Sequence, residues 1–385
     1  MILKISGGRI IGEDGLLEGK NLYCENGVIK DITEKEYSFD KQINANGCFV
    51  SPGFIDLHVH GAADCDFSDK TEQAVVTAAN YHLKHGTTTI YPTITSVPTD
   101  TIDKSLSAIQ SAKQNKELLC NIEGAHLEGP YFSKDQCGAQ NTEIITPPKP
   151  EDYNYLLQKH KGIIKRWSFA PELSGTSEFL DALNENNVVS SIAHSNAIYS
   201  DVVNAYNKGC RLITHFYSCT STITRDKGFR RLGVIESGYL LDDVSVEVIA
   251  DGCHIPKELF KLIYKCKGSD NICLVTDAIQ LAGSDKTTAS VGGVPCKVKD
   301  GVARLLDESA FAGSIATADR LVRFCVKDVN LSIVDAVNMI TKNPARVMGL
   351  KTKGLLKSGY DADIVVFDNN INIKNVIVAG KEVNI

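Results

Sequence analysis

The chain reads as an α/β protein, a (β/α)8 TIM barrel with a small β-sandwich formed by its N- and C-terminal segments. Three observations lead to that reading. Eight short apolar runs alternate with helical-length segments through the middle of the chain, the rhythm of βα units around a parallel sheet. Both ends instead carry short β-branched stretches punctuated by Gly, Asp and Asn. Histidines and carboxylates recur where the apolar runs stop, and in a barrel those stops gather at one mouth.

The elements follow in order. MILKISGGRII (1–11) and NLYCENGVIKDI (21–32), with GG, ENG and ANG as turns, predict a small β unit. Barrel strands are expected at GFIDLHVH (53–60), TTTIYPTI (87–94), LLCNIEGAHL (118–127) and IKRWSFAP (164–171). Four more are expected at VVSSIAHS (188–195), RLITHF (211–216), VSVEVIAD (244–251) and NICLVTDA (271–278). TEQAVVTAANYHLKHG (71–86) and KELFKLIYKCKG (257–268) have the apolar spacing of crossover helices, and TPPKP (146–150) reads as a loop. GYDADIVVFD (359–368) and NVIVAGKEV (375–383) return to β texture. Eight βα units favour a closed barrel over a doubly wound sheet. The expected division is therefore 1–52 plus 353–385 for the split terminal domain and 53–352 for the barrel.

A length of 385 residues suits one large barrel with an appendage. The 41 Lys+Arg against 47 Asp+Glu give a net charge of −6, which argues against nucleic acid or an anionic membrane as partner. No apolar run approaches the roughly 18 residues of a membrane span. The start MILKISGGRIIGEDG lacks a secretory pattern, so a cytoplasmic protein is expected. The 12 cysteines are scattered without a CxxC pair and read as buried thiols rather than disulfides.

His58 and His60 end the first run, Glu128 follows the third, His194 ends the fifth, His215 the sixth, Asp251 the seventh and Asp277 nearly the eighth. Residues two apart on a strand project to the same side, so His58 and His60 can share one metal. A His/His/Glu/Asp set suits a divalent ion such as zinc, which makes water nucleophilic near neutral pH. Asp277 is the natural acid/base group, taking the water's proton and delivering it to a leaving amine. His82, His85 and His160 fall on predicted helices or their ends and read as surface or packing residues. His126 shares the strand of Glu128 and reads as a pocket or supporting residue, and His254 on the loop after the seventh strand as a substrate contact. Arg225, Lys227, Arg230 and Arg231 in TRDKGFRRLG read either as a site for an anionic group or as a solvated charged loop.

PGFIDLHVHG, HLEGPYF, AHSNA, THFYS, IADGCHI, LVTDAI and FAGS occur in this order across the chain. Together they closely resemble the N-acetylglucosamine-6-phosphate deacetylases of the amidohydrolase superfamily. The resemblance covers essentially the whole chain, and GYDADIVVFD leading to NVIVAGK is similar to the superfamily's return to its terminal β-sandwich. It implies a metal held by Glu128, His194 and His215, with Asp277 as acid/base, and hydrolysis of the acetamide to glucosamine 6-phosphate and acetate. With His58 and His60 present it also implies a second ion beside Glu128, so one or two ions per subunit. His254 aligns with a substrate-contacting position. Arg225 lies near the family's phosphate-binding arginine, which can come from the neighbouring subunit of a homodimer.

Two departures bear on the substrate. Gln140 in GAQ stands where the family usually has a histidine that helps polarise the acetyl carbonyl, and Ser218-Cys219 stand where it commonly has NA. The expected substrate is N-acetylglucosamine 6-phosphate. The departures keep open the 4-epimer, N-acetylgalactosamine 6-phosphate, or another amide, and beyond them a non-catalytic sugar-phosphate binder.

Overall fold

In the computed structural model, which describes residues 1–384, nine parallel strand segments occupy eight positions of a nearly closed barrel. In spatial order they are Phe54–Val59, Thr87–Ile94, Asn121–Ile122 with Ala125–Glu128, Ile164–Phe169, Val189–Ile192, Leu212–Ile213, Ser245–Val248 and Ile272–Leu274. The last and first strands form no ladder of their own. Their backbones meet near the mouth, where Asp277 N donates to His58 O and His60 N to Ala278 O, both at 2.8 Å. Lower down, the carbonyls of Met339 and Ile340 accept from Leu274 N and Ile55 N, each at 2.8 Å, and fill the remaining gap.

Four predicted strands differ in extent, for identifiable reasons. The run at 118–127 is split because Gly124 passes so close to the next strand that an added Cβ would stand 2.1 Å from Lys165 Cγ. The fifth, sixth and eighth strands stop two or three residues short of His194, His215 and Asp277. At those three residues the backbone turns left-handed, with φ of 45°, 28° and 48°, so each side chain leaves a turn rather than a pleat. Two further elements lie where loops are expected: an antiparallel hairpin, Thr224–Asp226 with Phe229–Arg231, and a three-stranded sheet, Thr288–Val291, Val294–Lys299 and Val302–Leu305.

The crossover helices obey their pattern. In Glu72–Lys84 the buried Ala74, Val75, Ala78, Ala79 and Leu83 recur at helical spacing, and the Thr71 hydroxyl caps Ala74 N.

The two ends of the chain share one sheet. Ile364–Phe367 pairs antiparallel with Phe49–Pro52 in a six-stranded sheet, and this faces a four-stranded sheet built from Ile2–Ser6, Asn21–Glu25, Val28–Thr33 and Lys41–Asn44. Alternation decides which way each residue points. Ile364 and Val366 meet Leu3, Ile5, Leu22 and Ile29 in the core between the two sheets, whereas Val365 and Phe367 join the barrel core. All 12 cysteines are free thiols, and no helix among the described residues is long and apolar enough to cross a membrane.

Candidate active site

Six side chains converge at the C-terminal mouth. His194 Nδ1 donates to Gln136 O at 2.8 Å and His215 Nδ1 to Ser218 O at 3.1 Å. Because a carbonyl can only accept, each ring carries a hydrogen on Nδ1 and turns its Nε2 towards the cluster. Those two Nε2 atoms lie 3.2 Å apart, with Glu128 Oε1 at 3.2 Å and 3.1 Å from them. Beside them, His58 Nε2 and His60 Nε2 are 3.3 Å apart, and Asp277 Oδ1 lies 3.4 Å and 3.2 Å from them. Glu128 joins the two groups: Oε1 is 3.4 Å from His58 Nε2 and Oε2 is 3.4 Å from His60 Nε2.

Ring nitrogens and carboxylate oxygens facing one another across 3.1–3.4 Å are held together either by protons on the rings or by a cation between them. The spacing is the edge of a tetrahedron with metal–ligand bonds of about 2.0–2.1 Å. Both triads, His58/His60/Asp277 and Glu128/His194/His215, therefore fit a divalent ion, with all six residues buried.

Electrostatics agrees. Burial opposes ionisation of Glu128, yet the charge and hydrogen bonds of His58, His194 and His215 outweigh it and hold the carboxyl well below its usual range. Asp277 is lowered in the same way, against burial, by His58 and His60. Burial likewise opposes protonation of those two histidines, but Asp277 and Glu128 lift them to about 9 and about 10. The cluster thus has two ionised carboxylates, and an entering cation displaces protons from the rings.

Behind the histidines lies a polar floor. Glu247 Oε2 is 3.3 Å from His58 Nδ1 and accepts from His215 N at 3.3 Å, while Oε1 pairs with Arg166. Arg166 also donates to Leu57 O, Ser191 Oγ and Thr214 Oγ1 at 2.8–3.1 Å. Neither Arg166 nor Glu247 stands out in the sequence reading. The available signal is a charge in the middle of an apolar strand, IKRWSF and VSVEV. His126 belongs to the same layer: Thr93 Oγ1 and Ser168 Oγ hold its two nitrogens at 3.1 Å and 2.7 Å, and its ring packs edge-on against His58. Burial first, then the charges of Arg166 and His58, keep it neutral.

Above the triads is a cavity of about 310 Å³ lined by Gln140, Ser218, Cys219, His254 and Phe311 together with the metal-capable residues other than His58. Gln140 Oε1 accepts from Thr95 Oγ1 at 2.9 Å and Ser96 N at 3.0 Å, and its Nε2 donates to Glu128 Oε2 at 2.6 Å. Asp251, far from being a further ligand, orients His254: its carboxylate takes the His254 ring Nδ1 and the backbone N–H groups of Cys253 and His254, all at 2.8 Å. Arg225 lies outside the lining, on the exposed hairpin opposite Arg230. His82, His85 and His160 hydrogen-bond to Gly61 O, Asp319 and Asp103, away from the cavity.

Residues 49–383 match the Amidohydrolase family. An N-acetylglucosamine-6-phosphate deacetylase of Lysinibacillus sphaericus is 30% identical over 377 residues, covering 97% of this chain and 95% of that one. An N-acetylgalactosamine-6-phosphate deacetylase of Escherichia coli O157:H7 is 26% identical over 374 residues, 97% of both chains. Among solved structures, the N-acetylglucosamine-6-phosphate deacetylase of Pasteurella multocida superposes over all of both chains with a TM-score of 0.93 at 26% identity. A mutant of the Mycobacterium smegmatis enzyme, solved with N-acetyl-D-glucosamine-6-phosphate, covers 99% of this chain and 98% of its own with a TM-score of 0.90 at 26% identity. Family match, whole-length relatives and barrel mouth agree: this chain belongs to the amidohydrolase family.

Proposed function

We propose that this chain is a metal-dependent hydrolase that deacetylates N-acetylglucosamine 6-phosphate, releasing glucosamine 6-phosphate and acetate. The observation that carries the reading is the pair of facing ligand triads, bridged by Glu128, under a small cavity. Whole-length likeness to deacetylases of that substrate supports it.

Glu128, His194 and His215 would hold one ion, and His58, His60 and Asp277, sharing Glu128, a second; nitrogen and carboxylate donors at these spacings suit zinc. Bound there, the ion supplies the Lewis acidity that makes water nucleophilic at neutral pH and polarises the amide carbonyl. Asp277 accepts the proton of the attacking water and returns it to the amide nitrogen as the C–N bond breaks, so the amine leaves neutral and the acetyl group leaves as acetate. With its Nδ1 hydrogen engaged by Asp251, His254 offers Nε2 to a sugar hydroxyl. Ser218, Cys219 and the second Nε2 hydrogen of Gln140 complete the polar wall of the sugar site.

The phosphate is assigned to Arg225 of a second subunit. Arg225 is exposed and outside its own cavity, and the same loop carries Ile223 at 50% and Phe229 at 78% exposure, apolar surface suited to a dimer contact. The remaining proposals are a cytoplasmic homodimer and a domain division at 1–52 plus 353–385 against 53–352. The cross-terminal pairing of Val50 with Val366 supports that division.

Gln140 and Ser218-Cys219 motivate a second reading, the 4-epimer N-acetylgalactosamine 6-phosphate, on which a relative of 26% identity is named as acting. The test is acetate release from both 6-phosphates and both unphosphorylated sugars by zinc-loaded protein. Turnover of N-acetylglucosamine 6-phosphate above its epimer is expected; preference for the epimer selects the second reading, and no release from any of the four sinks both.

A further inference from the structure

Gln140 does more than line the cavity. Its amide is fixed at both ends. Ser96 N–H can only donate, so it must face the amide oxygen, and the ionised Glu128 carboxylate can only accept, so it must face the amide nitrogen. The Thr95 hydroxyl adds a second donor to the oxygen, and Gln140 is buried. The platform beneath is itself constrained: Gly292 of the three-stranded sheet lies so close that an added Cβ would be 3.1 Å from Thr95 Cγ2. The loop carrying Gln140 closes with Gln140 N donating to Cys137 O at 2.8 Å.

What this amide grips is one particular oxygen. Glu128 Oε1 faces His194 and His215, whereas Oε2, the oxygen bonded to Gln140 at 2.6 Å, faces His60 at 3.4 Å. A free carboxylate can rotate and turn both oxygens onto one ion. Held by Gln140, Glu128 keeps Oε2 directed to the His58/His60/Asp277 side. The neutral amide also leaves the carboxylate charge uncompensated, which a cationic imidazole at the same place would not.

We infer that Gln140 is a positioning residue that holds Glu128 in a bridging orientation and thereby sets the affinity of the second metal site. The inference rests on the two-ion reading of the preceding section. It gives the departure at position 140 a physical role separate from any contact with substrate.

The experiment is a cobalt titration of metal-free protein, followed by visible absorption and checked by elemental analysis, for the native chain, Gln140→Ala and Thr95→Val. The native chain is expected to bind two equivalents. Gln140→Ala should keep the first equivalent with its native spectrum and bind the second about 10- to 100-fold more weakly. Thr95→Val, which removes one of two donors to the Gln140 oxygen, should weaken the second equivalent by a smaller factor and covers the case of a poorly folding Gln140→Ala. Two equivalents bound with native affinity by both variants overturn the role of Gln140 alone. A single equivalent in the native chain overturns the two-ion reading and this inference with it.

Discussion

Glu247 and Arg166 sit inside the barrel with no measurable exposure, and their value depends on staying together. Glu247 is held below the usual carboxylate range, against burial, chiefly by Arg166 and His58. Removing one member of such a pair strands the other charge in a low-dielectric interior, at a cost of about 3–5 kcal/mol. Glu247→Gln is therefore expected to lower unfolding free energy in urea by about 3 kcal/mol. A variant as stable as the native chain would show that the pair is worth nothing to the fold. At this scale the sequence was informative in proportion to how unusual each residue is for its place. Six metal-capable residues at strand ends form a pattern, so His58, His60, Glu128, His194, His215 and Asp277 were legible. The supporting charges were not, since a single Arg or Glu in a β run does not say whether it faces solvent or the barrel axis. Asp251 follows a strand as the others do, yet its carboxylate is spent on His254.

The helix Glu72–Lys84 shows how an element is tied to the site it does not enter. Its buried His82 donates from Nε2 to Gly61 O at 3.0 Å, joining the first crossover helix to the turn after His60. Burial lowers the His82 pKa from 6.5 to about 4, against a smaller opposing effect of the Gly61 hydrogen bond. Because the folded value lies below the unfolded one, the neutral ring contributes its full stability above about pH 6.5. That contribution is lost as pH falls towards 4, up to about 3 kcal/mol in all. In metal-free protein, His82→Gln should flatten the acid side of the stability profile between those limits in urea unfolding. An acid limb as steep as that of the native chain would remove His82 from the account. Element positions were legible from periodicity, whereas element ends were not. The strands stop early at Ile192, Ile213 and Leu274 because the next residues turn into left-handed backbone that no apolar pattern encodes. The sheet spanning 288–305 leaves no such periodic signal because its strands, largely open to solvent, lack the apolar runs that mark buried ones.

Across the whole molecule, one terminus closes against the other while the hairpin at 224–231 is exposed to solvent. The joined termini were legible because both ends carry β texture, and the pairing of Phe49–Pro52 with Ile364–Phe367 places them in one sheet. The hairpin was legible only as charge. Its exposed Phe229 suits the subunit contact proposed above. Complementation between two impaired variants tests this arrangement. Arg225→Ala leaves Asp277 intact, and Asp277→Asn leaves Arg225 intact. If Arg225 serves the neighbouring subunit's cavity, a mixed dimer has one site combining native Asp277 with native Arg225. Random re-pairing of equal amounts then makes about half the dimers mixed with one working site each, restoring about a quarter of native activity on the phosphorylated sugar. The gain should be absent on the unphosphorylated sugar, where Arg225 has no anion to bind. If instead Arg225 acts within its own chain, no mixed site holds both native residues, and activity after subunit exchange stays at the sum of the two variants measured alone.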